Sequence, residues 1–182
     1  MIRDPDEILV ERSRTGDRQA LAALMERYQR PIYNAAYRVL GNGDDAADVT
    51  QNTFLKVAEK LDDYDAQYKF FSWIYRIAIN ESLNALRRDS REEPLEDCDE
   101  LPSSAALDPE SHAYDAQLAG RIQHALNALR YEHRIVITLR HFSDCSYGEI
   151  AGILELQEKT VKSRLFEARQ KLRELLKEYQ LA

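Results

Sequence analysis

The chain has 182 residues, of which 44% are apolar and 31% charged, and its net charge is -7. That balance is ordinary for a globular protein, and the length holds one large domain or two small ones. No run of about twenty apolar residues occurs, so no membrane-spanning helix and no membrane insertion is expected.

Gly and Pro are scarce, at six and five, and strand-like alternation does not persist, which predicts an all-α fold. The N-terminal MIRDPDEILVERS is acidic and lacks the long apolar core of a signal peptide. Two isolated thiols, Cys98 and Cys145, fit a reducing, cytoplasmic setting better than a disulfide, and leave a redox role for either one open. His112, His124, His133 and His141 show no i,i+4 metal pairing and no Cys partner at ligand spacing. No nucleophile–base arrangement, Gly-rich phosphate loop or metal box stands out, so no catalytic residue, cofactor or metal is expected.

Charge is uneven along the chain. Residues 1–88 hold 13 Lys and Arg against 14 Asp and Glu, residues 89–112 hold one against nine, and residues 113–182 hold 11 against nine. The acidity therefore sits in one segment. That segment has few large apolar groups with which to fold, and it reads as a flexible acidic linker between domains 1–88 and 113–182.

In chain order, Asp4 and Pro5 open a short helix to about Arg14, with Ile8 and Leu9 buried and Gly16 as its stop. Asp17 caps a second helix to Leu40 that buries Leu21, Leu24, Tyr28, Ile32, Ala35 and Val39. Pro31 inside it predicts a kink or two helices meeting. Gly41-Asn42-Gly43 ends it. A third helix, Asp44 to about Leu61, buries Ala46, Val49, Thr53, Phe54, Val57 and Leu61. Asp45, Asp48, Gln51, Asn52 and Lys56 are left outside. An outward strip of acids and amides suits an arginine-rich partner. Thr50 and Thr53 lie beside it, where a phosphate would add charge.

A loop, residues 62–69, carries Tyr64 and Tyr68, and a fourth helix follows from Phe70 to about Arg88. Its buried positions are expected to be Phe70, Ile74, Ile77, Ala78 and Leu83. Trp73, Tyr75, Arg76, Asn80, Asn84, Arg87 and Arg88 fall on other faces. Aromatics interleaved with Arg and Asn can stack unpaired bases and hold a nucleic-acid backbone, although Trp73 and Tyr75 can equally fill the core of a helical bundle.

Helices over Tyr114–Leu129 and Arg134–Phe142 precede a pair joined by a tight turn. In the first of the pair Tyr147, Ile150, Ala151 and Leu154 share a face, with Ser146 as cap and Glu149 as capping-box partner. Glu155-Leu156-Gln157 breaks the pattern. In the second, Val161, Leu165, Ala168, Leu172 and Leu175 face a core. Lys159, Lys162, Ser163, Phe166, Gln170 and Arg173 point outward together. A helix pair with that outer face fits the major groove of DNA, whereas an ordinary basic hairpin has no use for an outward Phe166.

The segments GNGDDAADVTQNTFLKV, FFSWIYRIAINESLNALRR and SYGEIAGILELQEKTVKSRLFEARQKL resemble, in order and spacing, bacterial sigma factors of the extracytoplasmic-function type. The resemblance spans nearly the whole chain outside the linker. It implies two helical domains, with core RNA polymerase (the β′ clamp helices and β flap) and promoter DNA as partners. It assigns Asp45, Asp48, Gln51 and Asn52 to polymerase docking. Recognition of the -10 element and its non-template single strand would fall to Tyr64, Tyr68, Lys69, Trp73, Arg76, Asn80, Arg87 and Arg88. The duplex -35 element would be read through Lys159, Lys162, Ser163, Phe166, Glu167, Arg169 and Gln170, with Arg164 and Arg173 on phosphates. An anti-sigma factor between the domains is also implied, with control in a stress or envelope response, and so is a linker whose negative charge imitates a phosphate chain.

The chain departs from the family pattern at three positions. Ala47 stands where Glu is frequent in the docking motif. Glu167 stands where the reading helix often carries a base, and a carboxylate can accept from cytosine N4. Cys145 replaces a typical Leu as a small hydrophobe. The alternatives are a homodimeric helix-turn-helix regulator with a helical sensing half, and a helical interaction module with no DNA role.

Overall fold

The computed structural model describes residues 4–92 and 109–178, and all their regular structure is helical. Caps supplied by the sequence set the boundaries. Helix α1 (Asp6–Arg14) follows Pro5. Helix α2 (Arg18–Leu40) begins at Asp17, whose carboxylate accepts from the amides of Gln19 at 2.9 Å and Ala20 at 3.2 Å. It ends at Gly41, with φ 79°, in the left-handed region where a missing Cβ avoids strain. Asn42 then caps α3 (Gly43–Lys60) by accepting from Asp44 and Asp45 amides. A short turn of 3-10 helix, Leu61–Asp63, leads to α4 (Phe70–Glu92).

The C-terminal half holds α5 (Pro109–Asn127), α6 (Tyr131–Ile137), a wide helical turn Thr138–Phe142, α7 (Tyr147–Leu154) and α8 (Glu158–Glu178). The capping box at Ser146 is complete: its hydroxyl accepts from the Glu149 amide, and the Glu149 carboxylate accepts from the Ser146 amide at 2.9 Å. Glu155 ends α7 in a left-handed conformation, with φ 54°.

Within the N-terminal half α1, α3 and α4 pack on α2, and α3 packs on α4. Leu24, Ile32, Val39, Phe70, Ile74 and Ile79 fill the space between them. In the C-terminal half α5, α6 and α7 pack on α8 around Leu126, Ile137, Leu139, Ile150 and Leu165. Each such side chain contributes roughly 1.5–3 kcal/mol by leaving water. Arg14 closes the near end of the first bundle by donating to the carbonyls of Leu61 at 3.1 Å, Asp62 at 3.2 Å and Tyr64.

Several sequence expectations change here. Val10, not Ile8, accompanies Leu9 in the core, and Ile8 is 48% exposed. Two helices do not meet at Pro31, because α2 continues through it; the ring is exposed, so the lost amide bond falls on the solvent side. Ile79 and Tyr75 are buried while Ile77 and Leu83 are half-buried, because α4 is covered by α2, α3 and α7 together. Helices α4 and α5 also run four residues into each edge of the acidic segment. Its centre, residues 93–108 with Cys98, lies outside the described residues.

The two halves touch. Arg38 near the end of α2 donates to Gln123 of α5 at 3.0 Å and stacks 4.7 Å from the Phe142 ring centroid. Arg134 of α6 donates to the Val39 carbonyl at 2.7 Å and to the carbonyls of Asn127 and Leu129. Gly41 sits so close to Asn127 that a Cβ there would lie 2.6 Å from its side chain. Tyr75 of α4 is buried at this seam, with Ser143 as a hydrogen-bond partner, and burial raises its hydroxyl above the ordinary tyrosine range.

Candidate nucleic-acid interface

Helix α8 buries one face and leaves the other open, as its period requires. Val161, Leu165 and Ala168 are buried, while Lys159, Lys162, Ser163, Phe166, Glu167, Arg169, Gln170 and Arg173 are all exposed. Phe166 is 62% exposed, although water disfavours a bare aromatic ring. The polar groups around it make only light contacts. Lys162 pairs with Glu158 at 3.3 Å, and Ser163 donates to Glu167 at 3.2 Å. Glu167 also lies 3.4 Å from His133. Arg169 donates to His141 at 3.3 Å, whose imidazole is held below its ordinary pKa by burial and by Arg169 and Arg140. Exposed contacts of this kind hold by about 0–1 kcal/mol, so a DNA partner can displace them. Arg164 is half-buried beside Glu132 at 3.8 Å, so it leans on α6.

The α4 region is arranged differently. Tyr64 is only 4% exposed: its ring packs against Phe70 and Trp73, and its hydroxyl donates to the Tyr68 carbonyl. Its expected contact with DNA is therefore corrected, because Tyr64 is the internal prop of the loop. Trp73 is half-buried, with ring centroids 5.3 Å from Tyr64 and 5.6 Å from Phe70. Tyr68, 66% exposed, and Asn80 remain open. Arg87 and Arg88 are exposed at the rim of a shallow depression with Glu81 and Asn84.

The two cations nearest the loop are occupied. Lys69 reaches Glu149 of α7 at 2.8 Å. Arg76 donates to the Gly152 carbonyl at 2.7 Å and pairs with Glu155 at 3.1 Å. Lys69 and the Ser146 amide hold the Glu149 carboxyl down to about 2. Nothing in the sequence spacing of these partners joins α7 to α4, and only the packing of the helices does.

On α3, Asp48 and Gln51 are exposed and Asp45 and Asn52 half-buried, as expected for an outward strip. Leu55, 55% exposed, continues the same face two turns beyond Asp48. The missed signal was a Leu left out of the buried period. Thr50 and Thr53 are not available for phosphate: both are buried, and their hydroxyls donate to Ala46 and Val49 carbonyls at 2.6 and 2.7 Å. Cys145 is also buried, and burial pushes its thiol up to about 12, which leaves it without reactive thiolate.

Comparisons with known proteins agree with this division. Residues 24–92 match Sigma-70 region 2, and residues 119–172 match Sigma-70 region 4. The chain is 34% identical over 174 residues to the ECF RNA polymerase sigma-E factor of Escherichia coli (strain K12), covering 91% of each protein. It is 30% identical over 179 residues to the ECF RNA polymerase sigma factor SigW of Bacillus subtilis (strain 168), covering 93% of this chain and 95% of that one. Among solved structures it is similar to CnrH in complex with the cytosolic domain of CnrY, with TM-score 0.74, 27% identity and coverage of 96% and 98%. The sigma factor RpoE in complex with the anti-sigma factor NepR from Bartonella quintana gives TM-score 0.67 and 26% identity, over 84% of this chain and 94% of that one. Two family regions in the expected order, on relatives matched almost end to end, lead to one conclusion: the chain belongs to the sigma-70 family of RNA polymerase sigma factors, in its extracytoplasmic-function branch.

Proposed function

We propose that the chain is the promoter-specificity subunit of a bacterial RNA polymerase, acting in transcription initiation without catalysis of its own. The observation that carries this reading is the uncovered face of α8, with Phe166 standing open among Lys159, Lys162, Ser163 and Gln170 on the second helix of a capped helix-turn-helix. That face reads the -35 element in the major groove, where each base pair shows a distinct pattern of donors and acceptors. The loop and α4 together, with Tyr68 and Asn80 open, Trp73 half-buried and Arg76 released from Gly152 and Glu155, take the melted -10 strand. Stacking there contributes about 1–3 kcal/mol per base.

The strip Asp48, Gln51, Asn52 and Leu55 on α3 docks the core enzyme. Acids and amides beside one exposed Leu offer charged hydrogen bonds and a small apolar anchor to a basic helix pair. The domains fall at 1–88 and 113–182, with the acidic segment as the connection. The described residues contain no helix long and apolar enough to cross a membrane, and a cytoplasmic site of action follows from the polymerase partner. A solved relative held by an anti-sigma factor supports a similar partner here. Family membership does not favour the homodimeric regulator.

Run-off transcription with purified core polymerase tests the proposal: initiation at defined promoters is expected only when the chain is added. In the same assay Asp48→Arg should weaken retention by core enzyme about tenfold or more while leaving the fold intact, since Asp48 is exposed. Undiminished retention would refute the docking strip.

A further inference from the structure

We propose that Glu167 makes the chain select cytosine at one position of the -35 element, by accepting from its N4 amino group, and that His133 of α6 is the residue that positions Glu167. The proposal rests on the reading of α8 as the helix that enters the -35 duplex. Among the outward residues of α8 from Lys159 to Arg173 assigned to DNA, Glu167 is the one acid. Ser163, Glu167 and Gln170 follow one another at spacings of four and three, and all are exposed, so Glu167 stands inside the reading row.

Charge balance along the helix does not account for this carboxylate. Lys171 lies one turn on, where a Glu–Lys pair would form, yet it pairs with Glu174 at 3.6 Å. The two oxygens of Glu167 meet other partners: Oε1 accepts from the Ser163 hydroxyl at 3.2 Å, and Oε2 lies 3.4 Å from Nε2 of His133. The Glu167 side chain is still 59% exposed, and a carboxylate has about four acceptor sites, so both oxygens keep capacity for a base edge. His133 is a firm support. Its ring is only 16% exposed, and the next residue, Arg134, ties α6 down by donating at 2.7 Å to the carbonyls of Val39 and Asn127. A long side chain held at both oxygens loses less freedom on binding than a loose one, which sharpens its contact.

The base follows from what a carboxylate can do. It only accepts, and in the major groove cytosine offers the N4 amino donor. Guanine offers N7 and O6, and thymine offers O4, all acceptors that repel it. Adenine sets its N6 donor beside the N7 acceptor, so the gain at one atom is offset at the next. Phosphates repel Glu167 as well, which leaves the groove floor as its place while the exposed Lys159 and Arg173 take the backbone. Selection therefore comes from one attraction and from repulsion of the competing bases.

The test is a promoter-library selection, randomised across the -35 element, with the full chain bound to core polymerase. The wild type should return cytosine at one position, favoured over guanine and thymine by roughly tenfold or more. Glu167→Gln should move that position to adenine, because an amide both donates and accepts and so matches N7 and N6 together. Glu174→Gln removes the same charge from an exposed site outside the reading row and should select as the wild type does. His133→Leu should keep cytosine but shrink its margin about twofold to tenfold, and His133→Gln, which keeps an N–H facing Glu167, should restore it. The same preference in wild type and Glu167→Gln, or the same shift in Glu174→Gln, overturns the role of Glu167 and leaves α8 as the reading helix. An unchanged margin in His133→Leu, or an equal loss at every position that His133→Gln does not restore, overturns the positioning role. No -35 preference from the wild type overturns the reading of α8 itself.

Discussion

The outer faces of α8 and α4 carry the same kinds of side chain, cations and amides around an aromatic, yet they meet different surroundings. On α8 the strip from Lys159 to Arg173 is uncovered and Phe166 stands free. On α4 the aromatic Trp73 is half-buried, Tyr75 is fully buried, and Arg76 is bonded to another helix. The difference teaches that duplex reading can be prepared in advance on one rigid helix. On α4, the cations proposed for the melted strand are already bonded within the fold.

The largest expected effect comes from neighbouring residues on opposite faces of α8. Leu165→Ala should cost about 2–5 kcal/mol in denaturant unfolding, because Leu165 is 1% exposed in the core. Phe166→Ala should shift stability by no more than about 0.5 kcal/mol. It should instead change the -35 sequences returned by a promoter-library selection. A matching loss of stability in both would break the reading of α8 as one core face and one DNA face.

A second pair sharpens the α4 side. Tyr64→Phe removes the hydroxyl that holds the Tyr68 carbonyl and should cost about 0.5–1.5 kcal/mol in thermal or denaturant unfolding. Tyr68→Ala should leave stability nearly unchanged and weaken binding of single-stranded DNA by about 1–3 kcal/mol, the range for one stacked base. Equal DNA affinity in Tyr68→Ala and wild type would remove Tyr68 from the site.

The smallest effect is a pH dependence at the seam. The Glu149 carboxyl is held down to about 2 by Lys69 and the Ser146 amide, below the ordinary 4.5. A depressed carboxyl contributes stability above its unfolded value and loses it as pH falls through the folded one. Between pH 4.5 and about 2 the wild type should therefore lose the contribution of the Lys69–Glu149 pair, which Glu149→Gln lacks throughout. Acid titrations of the two proteins, followed by scattering, should converge at low pH; a constant gap would show that Glu149 does not hold the seam.

Local chemistry was legible in the sequence. Asp17 and Ser146 cap the helices they precede, because an N-cap needs only a short acceptor and the amides two or three residues on. The outward strip of α8 and the buried stripe of α3 follow from helical period alone, as the packed neighbours of each leave one face uncovered. Period failed on α4, where a third neighbour, α7, packs as well and Tyr75 is buried. It failed too at Tyr64, since a loop has no period to say which tyrosine turns inward.

By itself, then, the sequence determined the helices, their caps, the two halves and the family, all of which rest on contacts within about one or two turns or on motif order. Only the tertiary structure decided which candidate residues are free. The Lys69–Glu149 pair spans 80 residues and the Arg76–Gly152 bond spans 76, and such contacts depend on how whole helices are stacked. Burial is a property of the neighbour that arrives, which no local pattern encodes.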